Sequence, residues 1–170
     1  MKNLTILILL TLLAIHASAK QDKYSYEKFK YKNTAQIELM GLGAAYSLNY
    51  ERNVVNLAHV KISFQLGAAY LPPSTGWINL HFPVSINQLI SFNRHHIELG
   101  IATMFTFSEV RHDAPLRDYD FENFLAVKIG YRYQKPNGRM QYKILFTPVI
   151  EYEHHNEFTP WGGITIGYNF

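Results

Sequence analysis

From residue 34 to the end of the chain, apolar side chains recur at every second position. In "VKISFQLGAAY", Val60, Ile62, Phe64, Leu66, Ala68 and Tyr70 share one parity, while Lys61, Ser63, Gln65, Gly67 and Ala69 share the other. A strict period of two over this length predicts a β-strand whose faces meet different surroundings. "HHIELGIATMFTF" sets Ile97, Leu99, Ile101, Phe105 and Phe107 against His96, Glu98, Gly100, Ala102 and Met104. "NFLAVKIGYRY" opposes Leu125, Val127, Ile129, Tyr131 and Tyr133 to Ala126, Lys128, Gly130 and Arg132. The same alternation runs through "MQYKILFTPVI" and the terminal "GGITIGYNF", where Ile164, Ile166, Tyr168 and Phe170 fall together.

Two places disturb the pattern. "WINLHFPVSIN" alternates but contains Pro83, which lacks a ladder donor and predicts a bulge or a strand start. In "AQIELMGLGAAYSLNYER" the parity flips near Gly41 and Gly43, so two strands joined by a tight hairpin are expected there. The expected strands are eight, at 34–42, 45–53, 59–70, 76–89, 95–107, 122–133, 140–150 and 159–170. "PNG" at 136–138 and "FNR" at 92–94 read as compact turns, with His95 a turn residue beside an inward His96. The segments 108–120 and 151–158 read as longer polar loops. Residues 20–33, basic and rich in tyrosine, show no period and are expected to form an N-terminal tail.

The first 19 residues follow a different logic. Lys2, an apolar run from Leu4 to Ile15 and the small triplet Ala17-Ser18-Ala19 have the order of a cleaved signal peptide. The run is short for a membrane anchor, the competing reading, which needs about 20 apolar residues. Some 150 residues remain (roughly one domain's worth), placing the barrel at 34–170. The chain has no cysteine, which excludes a disulfide scaffold and a cysteine-borne lipid anchor. A net charge of +3 is too slight to imply nucleic acid as a partner.

Alternation alone does not say which face is wet. A soluble lipocalin-like barrel would turn its apolar face inward around an apolar ligand, and a membrane barrel would turn it outward to lipid. A water-exposed outer wall should carry several long charged side chains per strand. Here the polar face is mainly Ser, Gln, Asn, Thr, Ala and Gly with one or two charges per strand, which suits a narrow closed interior. On this register the interior holds Glu38, Glu51 and Glu98 against Lys61, Lys128, Arg132 and Lys143. An interior of about eight strands is just wide enough for side chains to fill. The aromatic strand ends, among them Tyr70, Phe107, Tyr131, Tyr133, Tyr168 and Phe170, suit two interfacial girdles. The predicted fold is therefore all-β: an antiparallel up-and-down transmembrane barrel of eight strands, monomeric and without a conducting pore, its solvent a lipid bilayer.

A chain ending in "GGITIGYNF", with "YSLNYER" and "GYRYQKPNG" earlier, resembles bacterial outer-membrane β-barrel proteins of the small, eight-stranded Bacteroidota type. The resemblance implies that Ile164, Ile166, Tyr168 and Phe170 act as a C-terminal signal read by the barrel-assembly machinery. Gly162, Gly163 and Gly167 depart from the strictest spacing of that signal.

No catalytic motif stands out. Beyond the expected signal peptide no histidine occurs as His-x-Ser, and His81 and Ser85 share a face four residues apart, too far for a direct bond. A cross-strand triad of His81, Ser63 and Glu98 is left open. "EYEHHNE" gathers Glu151, Glu153, His154, His155 and Glu157, but adjacent histidines on an extended chain point opposite ways. The expected function is structural or surface-interacting, carried by extracellular loops near 43–45, 71–76, 108–121 and 151–158, with no cofactor, metal or catalytic residue. The alternatives are a secreted lipocalin-like carrier and a lipid-modifying outer-membrane enzyme.

Overall fold

A computed structural model describes residues 27–43, 45–71, 78–111, 117–150 and 158–170. The expected signal peptide, residues 20–26 of the expected tail and the Glu–His cluster at 151–157 lie outside the described residues.

Ten strand segments occur among the described residues: β1 (Asn33–Met40), β2 (Tyr46–Asn56), β3 (Val60–Leu71), β4 (Ile78–Phe92), β5 (His95–Arg111), β6 (Arg117–Gln134), β7 (Met140–Phe146), β8 (Val149–Ile150), β9 (Phe158–Thr159) and β10 (Gly162–Asn169). β7 and β8 are one wall interrupted at Thr147-Pro148, and β9 and β10 another interrupted at Pro160-Trp161. Proline cannot donate to the ladder, but the neighbouring backbone stitches the gap, Thr147 N–H donating to the Trp161 carbonyl at 2.8 Å. With each interrupted wall counted once, eight antiparallel strands run up and down in a closed ring, β1 meeting β10 and β5 meeting β6. Closure pairs the strand edges whose backbone groups an open sheet would leave bare.

The last residue completes that closure. Thr34 pairs with Asn169, and Phe170 and Asn33 exchange backbone hydrogen bonds of 2.8 and 3.2 Å. Both ends of the barrel chain therefore lie at one end of the cylinder, called here the terminus end. It also carries the β2–β3, β4–β5 and β6–β7 turns. Gly41–Gly43 and the C-terminal ends of β3, β5 and β8 lie at the opposite, loop end.

Parity is realised along every wall. Lys61, Ser63 and Gln65 are buried while Phe64, Leu66 and Tyr70 are exposed. Lys128 and Arg132 are buried between exposed Val127, Ile129 and Tyr131. Pro83 shifts no register: β3–β4 pairing lapses opposite Phe82-Pro83 and resumes in phase, while Pro83 still sits opposite Met104 of β5. The register shift lies in β2, between Asn53 and Val55. A two-residue turn, Asn93-Arg94, joins β4 to β5, Asn93 adopting φ 63°. His95 is thus the first residue of β5 rather than part of the turn. Much of the expected loop at 108–120 is strand: β5 runs to Arg111 and β6 starts at Arg117, paired up to Arg111↔Arg117. Charged residues there end the apolar alternation without ending the hydrogen-bond ladder.

Candidate functional site

The residues with chemistry lie in the lumen, in three layers. The middle layer is ionic. Arg132 on β6 donates through Nη2 to Glu51 on β2 at 2.5 Å, and through Nε to Glu98 on β5 at 2.8 Å. Lys143 on β7 donates to the second Glu51 oxygen at 2.6 Å and lies 3.6 Å from Glu98. Lys128 lies 3.6 Å from Glu98 and donates to Gln65 and Ser85. All five ionic side chains are fully buried. Buried ions are tolerable only when paired and hydrogen-bonded, and here two carboxylates serve three cations.

The other two charges placed inward by parity stand apart from this cluster. Lys61 belongs to the terminus-end layer, where its ammonium donates to Ser91 Oγ (2.9 Å) and the Ala58 carbonyl (3.1 Å). His96 holds Ser91 Oγ at 2.9 Å through Nδ1 and the Gln134 carbonyl at 3.0 Å through Nε2. A carbonyl only accepts, so Nε2 carries the proton. Glu38 belongs to the loop-end layer and accepts from the Leu42 N–H at 2.9 Å. That bond holds the inward turn Gly41–Gly43, in which Gly41 has φ 75°, a left-handed conformation that suits glycine.

Each end of the lumen is stopped by an apolar side chain. At the loop end, buried Leu42 packs with Ala102 and Ala126, with Val149 alongside. Trp161 Nε1–H anchors the turn at the Gly41 carbonyl (2.7 Å). A small apolar cleft of about 180 Å³ opens beside it, lined by Met104, Phe124 and Trp161 among others. At the terminus end the stopper is Phe29, from the segment that shows no period. Its backbone exchanges two hydrogen bonds with the Asn56 side chain (2.8 and 3.0 Å), fixing the chain beneath β2. Its ring meets His96 edge-on at 5.1 Å and lies 4.6 Å from the Lys61 ammonium. Sequence reasoning missed this residue; a lone phenylalanine among lysines in "EKFKYK" was the available signal.

The candidate triad is not assembled. Ser63 pairs with Asn87 and Glu98 with Leu89, six and eight residues along β4 from His81. At about 3.3 Å per residue the gaps are roughly 20 Å or more. His81 instead bonds Thr106 at 2.9 Å, while Glu98 is held by Arg132. No group of three or more potential metal ligands occurs among the described residues.

The outer wall is the complement of the lumen. Ile37, Leu48, Ile86, Ile129, Ile144 and Ile166 are about half exposed or more, the reverse of a water-soluble fold. Aromatic rings band this wall twice. Tyr131, Tyr133, Tyr142 and Tyr168 mark the terminus end. Tyr46, Tyr70, Phe107 and Phe121 mark the loop end, with Tyr46 donating to the Tyr70 carbonyl and Phe107 against Phe121 at 5.1 Å. From Ile97 beside Tyr131 to Phe107 is ten residues of β5, about 33 Å along a strand, or about 25 Å of height at the tilt usual in barrels.

Fold and polarity together define a class: a closed, eight-stranded, antiparallel up-and-down barrel with its ions inside and its apolar residues outside. A solved structure of similar fold is the N-terminal β-barrel domain of Pseudomonas aeruginosa OprF, with a TM-score of 0.57 and 7% identity over 85% of this chain and 100% of that one. At that identity the likeness is one of fold. No family model and no curated protein matches the sequence.

Proposed function

We propose that the protein is an integral outer-membrane barrel, monomeric and closed to ion flow, whose function is structural or surface-interacting and is carried by its loop-end segments. The observation that carries this reading is the polarity of the wall: Arg132 is fully buried while Ile144 is 65% exposed. Such an arrangement is costly in water and favourable in a bilayer. The paired aromatic bands, about 25 Å apart by strand length, support the same solvent. Export through a cleaved signal peptide at 1–19 and recognition of Ile164, Ile166, Tyr168 and Phe170 by assembly machinery fit this reading. So does the antiparallel wall in which those four side chains all face outward.

The closed state rests on Phe29, Leu42 and the ion cluster between them. A lumen filled with ions gives an apolar cargo nothing to bind, which disfavours a lipocalin-like carrier. The test is extraction followed by electrophoresis of the full chain from cell envelopes. Resistance to alkaline carbonate, release by detergent and a mobility change on boiling are expected. Recovery in the aqueous fraction would overturn the proposal, and steady single-channel conductance in planar bilayers would overturn its closed state.

A further inference from the structure

Exposed cations of the barrel gather at the terminus end. Around the terminus end, Lys28, Lys30 and Lys32 lie on the segment that carries Phe29, and all three are exposed. Arg52 on β2, Arg94 in the β4–β5 turn, and Lys135 and Arg139 in the β6–β7 turn are exposed at the same end. Among the described residues, Glu27 is the sole acidic side chain there. Toward the loop end the balance reverses: the described ends of β5 and β6 carry four acids, Glu109, Asp118, Asp120 and Glu122, against two arginines, Arg111 and Arg117.

The cations are held against the aromatic band that borders the apolar wall. Arg139 donates to the Tyr168 hydroxyl at 2.8 Å, and its guanidinium lies 5.0 Å from the Tyr31 ring centroid and 5.7 Å from that of Tyr168. Lys30 stands 5.4 Å from the Tyr31 ring, and Arg52 donates to the Asn33 side chain at 3.1 Å. Tyr168 is half exposed on the same wall as Ile166 and Ile164. Immediately beyond the hydrocarbon contacted by that wall comes the headgroup layer, so the collar is placed at phosphate level. Juxtamembrane cations are attracted to an anionic leaflet, and salt screens that attraction.

We infer that the terminus end is a binding collar for the phosphates of anionic phospholipids in the leaflet it faces, with phosphatidylglycerol-type headgroups as the ligand. The inference rests on the membrane-barrel reading and adds a lipid preference to it. Among the described residues the loop end carries more acids than bases, so the preference belongs to one leaflet and helps to set which way the barrel faces.

The test refolds the full chain into vesicles of phosphatidylcholine alone and of phosphatidylcholine with phosphatidylglycerol. Folding is checked in both by heat-modifiable mobility, and lipids retained on the released barrel are then read by native mass spectrometry. The wild-type chain should retain phosphatidylglycerol over phosphatidylcholine by at least tenfold at low salt, and the ratio should fall as salt rises. The variants K28Q/K30Q/K32Q and R94Q/K135Q/R139Q should fold normally and lose most of the preference. The loop-end control D118N/D120N should keep it. Equal retention of both lipids by the folded wild type, or equal preference in the collar variants, would overturn the inference. So would capture of the collar by peptidoglycan sacculi without any headgroup preference. A chain that acquires heat-modifiable mobility in neither vesicle would instead sink the membrane-barrel reading itself.

Discussion

Arg132 and Glu51 meet at 2.5 Å from opposite walls of the cylinder, β6 and β2 standing four places apart in a ring of eight. Their contact spans 81 residues of sequence and a full barrel diameter, so it ties together parts of the sheet that share no ladder. Glu51 also holds Lys143, which makes this carboxylate the hinge of the cluster. Glu51→Gln leaves two buried cations short of a counter-charge. It should cost about 3–5 kcal/mol, the range for breaking a buried pair from one side, read as a lowered urea midpoint for the barrel in lipid. Removing a cation together with the acid, as in Glu51→Gln/Lys143→Met, should return part of that loss. A double variant no more stable than the single one would refute the coupling.

The wall offers a sharper contrast between neighbours of opposite parity. Ile129 pairs with Leu99 and Phe146 on the exposed face, while Ala126 is buried beside Ala102 and Leu42. On the proposed membrane reading, Ile129→Arg places a cation among acyl chains, at about 2–4 kcal/mol near the midplane. Ala126→Ser places a hydroxyl in the lumen and leaves the lipid face untouched. Insertion yield into vesicles should drop severely for the first and stay near wild type for the second. Equal heat-modifiable fractions would contradict the assigned register.

Parity is a local property, and this is why the sequence shows it. Lys128 and Arg132 face inward because a slip of one residue would carry both to the apolar outer face, so the alternation around Val127, Ile129 and Tyr131 fixes the faces. Height along the axis is not local. Lys61 and Glu38 share the inward parity but lie in different layers from Arg132, because the stagger between strands, not the period, decides which inward residues are level. The strand ends near Arg111 and Arg117 were unreadable for another reason. On the proposed membrane reading nothing demands apolar residues beyond the hydrocarbon, so the pattern stops while pairing continues. Phe29 has no neighbours in sequence that announce its position; its partners Asn56, Lys61 and His96 come from three other parts of the chain.

Phe29 in turn makes a prediction about access. Its side chain is 3% exposed, and the Lys61 ammonium beneath it is fully covered. Phe29→Ala should cost about 3–5 kcal/mol if the site behaves as an ordinary buried phenylalanine. More tellingly, it should open the terminus end to water-borne reagents. Amine labelling of the folded wild type should modify Lys28, Lys30 and Lys135 and spare Lys61; the variant should add Lys61 to the modified set. Lys61 modified in the wild type would mean that the ring does not stop the lumen.

Phe170 separates a structural contribution from a recognition one. Its backbone exchanges hydrogen bonds with Asn33, which any residue could make, while its ring is half exposed on the outer wall and fills no cavity of the lumen. Truncating that ring removes little folded-state packing, so Phe170→Ala should refold in detergent or preformed vesicles with close to the wild-type yield and urea midpoint. If assembly machinery reads the terminal strand, as proposed, the same variant in cells should leave much less heat-modifiable barrel in the membrane and more unfolded chain outside it. A matching substitution one step further in, Tyr168→Ala, also removes the hydroxyl that Arg139 holds at 2.8 Å, and should add an in vitro loss that Phe170→Ala lacks. If Phe170→Ala fails equally in the test tube and in the cell, the ring is structural and the recognition role falls.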